Sequence, residues 1–313
     1  MRQTFVKTIL EEAKKDTRII LLTGDLGYSV FEMFMNELPK QYLNTGIAEQ
    51  NMTGMAAGLA MEGYKPIIYS IIPFSTMRNF EQIRNDICYQ NLDVKIIGVG
   101  AGFSYGPYGH THHGLEDIGV LRTLPNMTIV APGDPTEVNL AVKAMMRSSN
   151  PTYMRLGKTG EKKLYSKDPH FTLGKGIILR DGIDGTIIAT STLLSRALEV
   201  ADILQAENFS FRVISMHTIK PLDRSLILES ARKTTIMISL EEHSVIGGLG
   251  SAISEILAQS DCSIRYKCIG VPDRFTACIG FQEYMRKANG LTSKQIAKTI
   301  TRFIHEKNTQ KHK

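Results

Sequence analysis

Short apolar runs that end at glycine or proline alternate with amphipathic stretches along most of the chain, and this alternation restricts the fold more than any other feature. Such runs fall at 18–23 (opening into Gly24-Asp25-Leu26-Gly27), 42–45, 65–72, 94–99 and 127–132. Between them the spacing predicts helices at 3–15, 75–90, 115–123 and 135–147, the first with Phe5, Ile9, Leu10 and Ala13 on one face. Apolar runs of strand length separated by helices imply right-handed crossovers and a parallel sheet covered on both faces. From about 157 to 176 the sequence turns polar and glycine-punctuated and loses its period, which reads as a linker. The alternation then resumes, with strands expected at 186–190, 211–215, 235–240 and 264–269 and helices at 193–206, 249–259 and 292–306. The expectation is an α/β protein of two three-layer α/β domains with mostly parallel sheets, residues 1–160 and 177–313, joined by a linker at 161–176.

Composition limits the function. A chain of 313 residues with 42% hydrophobic and 22% charged residues has material for two ordinary cores. Its net charge of +6 arises partly in the terminal segment 307–313, and the other basic residues are interspersed with acids. No nucleic-acid-binding stripe is therefore expected, and a modest surplus suits phosphorylated substrates. No run reaches membrane-spanning length and the N-terminus lacks a signal-peptide core, so the expectation is a cytoplasmic protein with no membrane partner. Cys88, Cys262, Cys268 and Cys278 form no C-x-x-C pair, as in a reducing compartment.

Four stretches carry chemistry. In the helix expected from Gly46 onward, Ala48, Met52, Met55, Ala56 and Leu59 form a stripe, and Gly54 and Gly58 permit close packing. Glu49 lies in its first turn. A carboxylate there can satisfy free helix N–H groups, or it can be a functional acid: dry surroundings raise its pKa and the helix N-terminus lowers it. The loop from Gly100 to Gly114 places three histidines in four positions, His110, His112 and His113. No acidic or cysteine partner stands at metal-ligand spacing, so no metal site is expected, and the end of a parallel strand suits proton transfer better. Gly157-Lys158-Thr159 resembles the end of a phosphate-binding loop but lacks the upstream glycine and reads as a surface loop. The glycine-rich stretch Glu241 to Gly250, expected as a strand-to-helix turn, can cradle an anion or serve close packing.

Gly46-Ile47-Ala48-Glu49-Gln50-Asn51 resembles the motif of the transketolase family in the domain that binds the aminopyrimidine ring of thiamine diphosphate. Thr111-His112-His113-Gly114, with 121–127 and 131–134, is similar to transketolases and 1-deoxyxylulose-5-phosphate synthases, and the turn at 241–250 to their C-terminal domains. The resemblance implies that Glu49 hydrogen-bonds the ring and activates the cofactor, that Phe74 packs on it, and that His112 contacts substrate. It further implies that Asp25 faces the cofactor and that Ser29, Arg155 and Arg2 bind substrate phosphate. Gly100 and Tyr108 depart from the family's hydroxyl-binding His and Asp, which points to a different or less hydroxylated acceptor. No Gly-Asp-Gly occurs, although full-length transketolases hold Mg²⁺ and the diphosphate through one. The chain is thus expected to be the small subunit of a split, thiamine-diphosphate-dependent transketolase. A separate N-terminal subunit would supply the Mg²⁺ site, giving a heterotetramer that contains a self-dimer. The alternatives are a 2-oxoacid dehydrogenase β subunit and a non-catalytic regulatory subunit.

Overall fold

Twelve strands form two sheets in the computed structural model, which describes residues 1–158 and 160–306. Thr159 and the basic segment 307–313 lie outside the described residues. The first half contributes β1 (Ile19–Thr23), β2 (Tyr42–Asn44), β3 (Lys65–Ile71), β4 (Lys95–Val99), β5 (Thr128–Val130) and β6 (Thr152–Leu156). The second contributes β7 (Ile177–Arg180), β8 (Gly185–Ala189), β9 (Phe211–Ser215), β10 (Thr218–Lys220), β11 (Ile236–Ser244) and β12 (Arg265–Val271). The first sheet runs β10-β5-β6-β4-β3-β1-β2, parallel except for β10, and the second runs β12-β11-β8-β9-β7, parallel except for β7.

The central strands are apolar on both faces because helices cover both. Ile67, Ile68, Ile96 and Ile97 are fully buried. One face packs on the helix Arg2–Ala13, which buries Phe5, Ile9, Leu10 and Ala13, and on the helix Pro135–Met146. Asp134 caps the latter by accepting the Glu137 N–H at 2.7 Å. The other face packs on the helix Glu49–Met61 through Met52, Ala56 and Ala57.

Three expectations are corrected. The helix expected at 75–90 is broken into pieces at Ile72–Thr76, Phe80–Gln82 and Ile83–Cys88, the last a π-helical turn. The break falls at Met77–Asn79, where Asn79 Nδ2 donates to Thr53 Oγ1 at 2.7 Å and the backbone leaves the helical path. The segment 241–243 is strand rather than turn, since β11 continues to Ser244. Strands β6, β7 and β10 add to those expected, and β6 is central, lying between β4 and β5.

The two halves interlock. Strand β10 follows β9 in the chain yet pairs with β5 of the first sheet. Next to it the Ala131 N–H donates to the His217 carbonyl at 2.7 Å. The fully buried Glu137 accepts from Tyr165 Oη at 2.5 Å and Ser215 Oγ at 2.6 Å, tying helix, connecting segment and β9 together. The four cysteines are free thiols. Among the described residues no helix is long and apolar enough to cross a membrane.

Candidate active site

In the first sheet the chain leaves β1 toward β2 on one side and returns to β3 on the other. Loops at such a reversal diverge and open a crevice at the carboxyl ends of the strands. Glu49 sits there. It begins the helix that follows β2, and it is only 2% exposed. The backbone after β1 passes close by, since a Cβ added at Gly24 would lie 3.6 Å from Glu49 Oε1. From β3, Ser70 Oγ donates to Oε1 at 3.3 Å. Arg78 Nη1, from the break in the helical segment, donates to Oε2 at 2.7 Å.

An aromatic and cationic row continues outward from this acid. The Arg78 guanidinium lies 4.2 Å from the centre of the half-buried Phe74 ring. Phe74 meets His112 edge-on with ring centres 5.2 Å apart. Tyr108 and Tyr105 flank His112 at 5.2 Å and 6.3 Å. Lys158 Nζ sits over the Tyr105 ring at 4.6 Å and 5.9 Å from the Tyr108 ring. Gly100 explains how Tyr105 comes to be there. Its φ is +99°, and a Cβ on it would run into the Tyr105 ring, so the tyrosine fills space that a side chain at position 100 would need.

Burial lowers the pKa of His112, so its imidazole is neutral near pH 7. Burial also raises the Tyr105 phenol, opposed by the charge of Arg2 nearby. Arg2 lies against Tyr69 and Tyr105, and its buried Nε has no hydrogen-bond partner among the described residues. Asp25 and Ser29 occupy the exposed loop after Gly24, both with left-handed backbone, φ 53° and 59°. Asp25 accepts from Asn44 Nδ2 at 3.0 Å, and the Ser29 N–H donates to Glu32 at 2.5 Å.

Arg155 requires a correction. It is fully buried, and its guanidinium donates to Asp117 Oδ2 at 2.9 Å, Ser191 Oγ at 3.3 Å, the Gly114 carbonyl at 2.5 Å and the Glu242 carbonyl at 2.9 Å. With four hydrogen bonds made inside the protein and no exposed surface, Arg155 is placed here as a structural group rather than at the open site. A partly exposed cation stands just beyond the end of β6: Lys158, whose local sequence reads as surface loop. Arg78 is a second group that the sequence does not single out. The acid that Arg78 meets and the rings that Lys158 meets are distant in the chain, so their roles show only in the folded structure.

The residues fit one part of thiamine diphosphate. A buried carboxylate, a serine hydroxyl beside it, a half-buried aromatic and close-approaching glycine backbone suit an aminopyrimidine ring. Among the described residues no group of three or more His, Cys, Asp or Glu is placed to hold a metal ion. Of the three histidines of the loop, His113 packs inward on Phe103 at 5.2 Å and meets the His110 ring at 5.4 Å, His110 also meets Phe275 at 5.1 Å, and His112 faces Phe74.

Fold and site together define a pyrimidine-binding domain followed by a second α/β domain. The family description "Transketolase, pyrimidine binding domain" matches residues 1–160, and "Transketolase, C-terminal domain" matches 174–296. The chain belongs to the transketolase family. It is 36% identical to the 6-deoxy-6-sulfo-D-fructose transketolase subunit SqwH of Clostridium sp. (strain MSTE9), covering 98% of this chain and 95% of that protein. It is 38% identical to an apulose-4-phosphate transketolase subunit of Phocaeicola vulgatus, covering 97% of each. Against the 1-deoxy-D-xylulose-5-phosphate synthase of Caldanaerobacter subterraneus it is 35% identical over 96% of its length but spans 48% of that enzyme. A solved structure described as "Split gene transketolase, inactive beta4 tetramer" superposes with a TM-score of 0.89 at 37% identity, covering 96% of this chain and 97% of that one.

Proposed function

We propose that this chain is the pyrimidine-side subunit of a split transketolase, transferring a two-carbon ketol unit from a ketose phosphate to an aldehyde. A separate subunit would hold the diphosphate and Mg²⁺, two copies of each forming a cytoplasmic heterotetramer. The observation that carries the reading is the buried Glu49 carboxylate at the sheet's reversal point, in line with Phe74 and His112, in a chain without Gly-Asp-Gly.

Thiamine diphosphate, when bound, supplies the electron sink for carbon–carbon bond cleavage. Glu49 would hydrogen-bond the ring through one carboxyl oxygen, while Ser70 donates to Oε1. Phe74 would offer a face for the ring, and Arg78 engages both Glu49 and Phe74 at the edge of that place. Neutral His112 accepts or returns a hydroxyl proton of the sugar. Asp25 and Ser29 border the mouth on the loop after β1.

Lys158, with Arg2, takes the role that Arg155 cannot: meeting the sugar's anionic end beside Tyr105 and Tyr108. The names of two relatives specify a sulfonated and a phosphorylated sugar. A lysine can meet either anion as a point charge. The exposed Tyr108 suits an acceptor with fewer hydroxyls than the ordinary pentose phosphates. Transketolase subunits among the relatives favour this reading over a 2-oxoacid dehydrogenase β subunit.

The test is reconstitution with a subunit that carries Gly-Asp-Gly, followed by calorimetry with thiamine diphosphate and Mg²⁺ and assays with ketose phosphates and with pyruvate. Cofactor binding by the mixture and turnover of a ketose phosphate are expected. Decarboxylation of pyruvate without ketol transfer would refute the proposal.

A further inference from the structure

The loop that carries His112 is gripped by the second domain. Glu242, in β11, is fully buried, and its Oε1 accepts the Phe103 N–H at 2.9 Å. Its Oε2 accepts from Thr192 Oγ1 at 2.7 Å and from Arg286 Nη2 and Nε at 2.6 Å and 3.0 Å. Gln282 Nε2 bridges Glu242 Oε1 at 3.1 Å and Ser104 Oγ at 3.3 Å, so a second strut reaches the same loop. The side chain of Glu242 also fills the space over Gly102, where a Cβ would collide with its Cγ.

From these contacts the connection to the site is short. Gly102 and Gly114 close the base of the loop by reciprocal backbone bonds of 2.9 Å and 3.1 Å. The Phe103 ring meets the His113 ring at 5.2 Å, His113 Nε2 lies 3.3 Å from the Gly106 carbonyl, and His112 immediately precedes His113. Burial pushes the Glu242 pKa up, but Arg286 and the other donors bring it down overall, so the carboxylate stays charged.

We propose that Glu242 is a positioning residue: held by Arg286 and Thr192, it fixes the loop 101–114 through Phe103 and Gln282 and thereby sets the place of the His112 ring. Its functional consequence rests on the reading of His112 as a substrate contact. A purely structural ion pair between domains would affect stability alone.

The experiment compares Gln282→Ala and Glu242→Gln, in the whole chain and in the reconstituted complex. Hydrogen exchange reads the amides of 101–114 against those of β4, and proton NMR reads the ring-current-shifted His112 signals that arise from Phe74 and Tyr108. Q282A should speed exchange in 101–114 by about tenfold or more with β4 unchanged, and should move the His112 signals toward their unstructured positions. E242Q should do so more strongly, and in the complex kcat should fall at least tenfold with cofactor affinity within twofold of the parent. If E242Q does not fold, Q282A still decides, since it strands no buried charge. Folded variants whose thermal midpoint drops while loop exchange and His112 signals stay the same would overturn the proposal. Altered exchange and ring signals with unchanged kcat would uphold the positioning and refute His112 as the substrate contact.

Discussion

Replacing Arg155 by Met separates a structural guanidinium from a phosphate ligand. Asp117 is itself fully buried, and its partners at Oδ2 are Arg155 Nε at 2.9 Å and Tyr153 Oη at 2.6 Å. After the substitution the tyrosine bond survives but the carboxylate loses its countercharge. Removing one partner of a buried ion pair costs about 3–5 kcal/mol. The Glu242 carbonyl and Ser191 lose a donor too, each loss worth about 1 kcal/mol where water cannot substitute. The expected destabilisation of R155M in urea is therefore about 4 kcal/mol or more. Asp117→Asn in the same background removes the stranded charge, and the double variant should recover a large part of the loss. Equilibrium urea unfolding followed by far-UV circular dichroism measures both. A destabilisation below about 1 kcal/mol, together with weakened sulfate or phosphate binding, would refute the structural assignment and return Arg155 to the substrate site.

Lys158→Met should behave in the opposite way: an unchanged urea midpoint, and in the complex a KM for the anionic sugar raised about tenfold, or about 1.4 kcal/mol. An unaltered KM would remove Lys158 from the site. Glu49→Gln keeps the shape but not the acid, so turnover by the complex should fall by about a hundredfold or more with the fold intact. Unchanged turnover would instead support a non-catalytic subunit. His217 is buried and stacked on Phe171 with ring centres 3.9 Å apart, and burial lowers its pKa to about 3. Because the unfolded chain takes up this proton near pH 6.5 and the folded chain does not until about 3, stability is full above 6.5 and declines as the pH falls between those values. At about pH 5 this one group should cost about 2 kcal/mol. Its removal in His217→Gln should flatten the dependence by that amount, and identical pH profiles for parent and variant would count against the assignment.

Sequence made the layered α/β architecture legible because buried parallel strands are continuous apolar runs, and 18–23, 65–72 and 94–99 need no partner to be recognised. Strand β6 was hidden for a physical reason. Arg155 interrupts its apolar pattern, and the acceptors that let an arginine lie in the core come from residues 114, 117, 191 and 242. Strand β10 was hidden because Ile219 is its only apolar residue, between Thr218 and Lys220, and its pairing with β5 is a tertiary event. At the site, Glu49 stood out through its helix start and the motif around it. Arg78 and Lys158 did not, since the Glu49 carboxylate that Arg78 pairs with and the Tyr105 ring under Lys158 lie far from them in the chain. The loss of a side chain at position 100 was visible in the sequence, whereas the tyrosine five residues later that fills the space was not.

On the proposed reading, the geometry also accounts for how half a site can be a stable protein. An acid 2% exposed would carry an uncompensated charge unless something paired with it, and Arg78 does so from a side chain that is 44% exposed. The guanidinium therefore bridges the dry floor and the open mouth. Around that mouth Tyr28 is 78% exposed and Ile47, inside the motif itself, 75%. Apolar side chains exposed next to a buried acid form a wall lacking its opposite face. Chemistry that depends on excluding water from Glu49 and Phe74 needs that face supplied, and a second chain with the diphosphate site would supply it along with the metal. On the proposed reading, dividing the enzyme at this point leaves Glu49, the His112 loop and the second domain's grip on that loop on one chain. The parts that must hold fixed distances to one another thus fold together, and only the closing of the crevice is left to assembly.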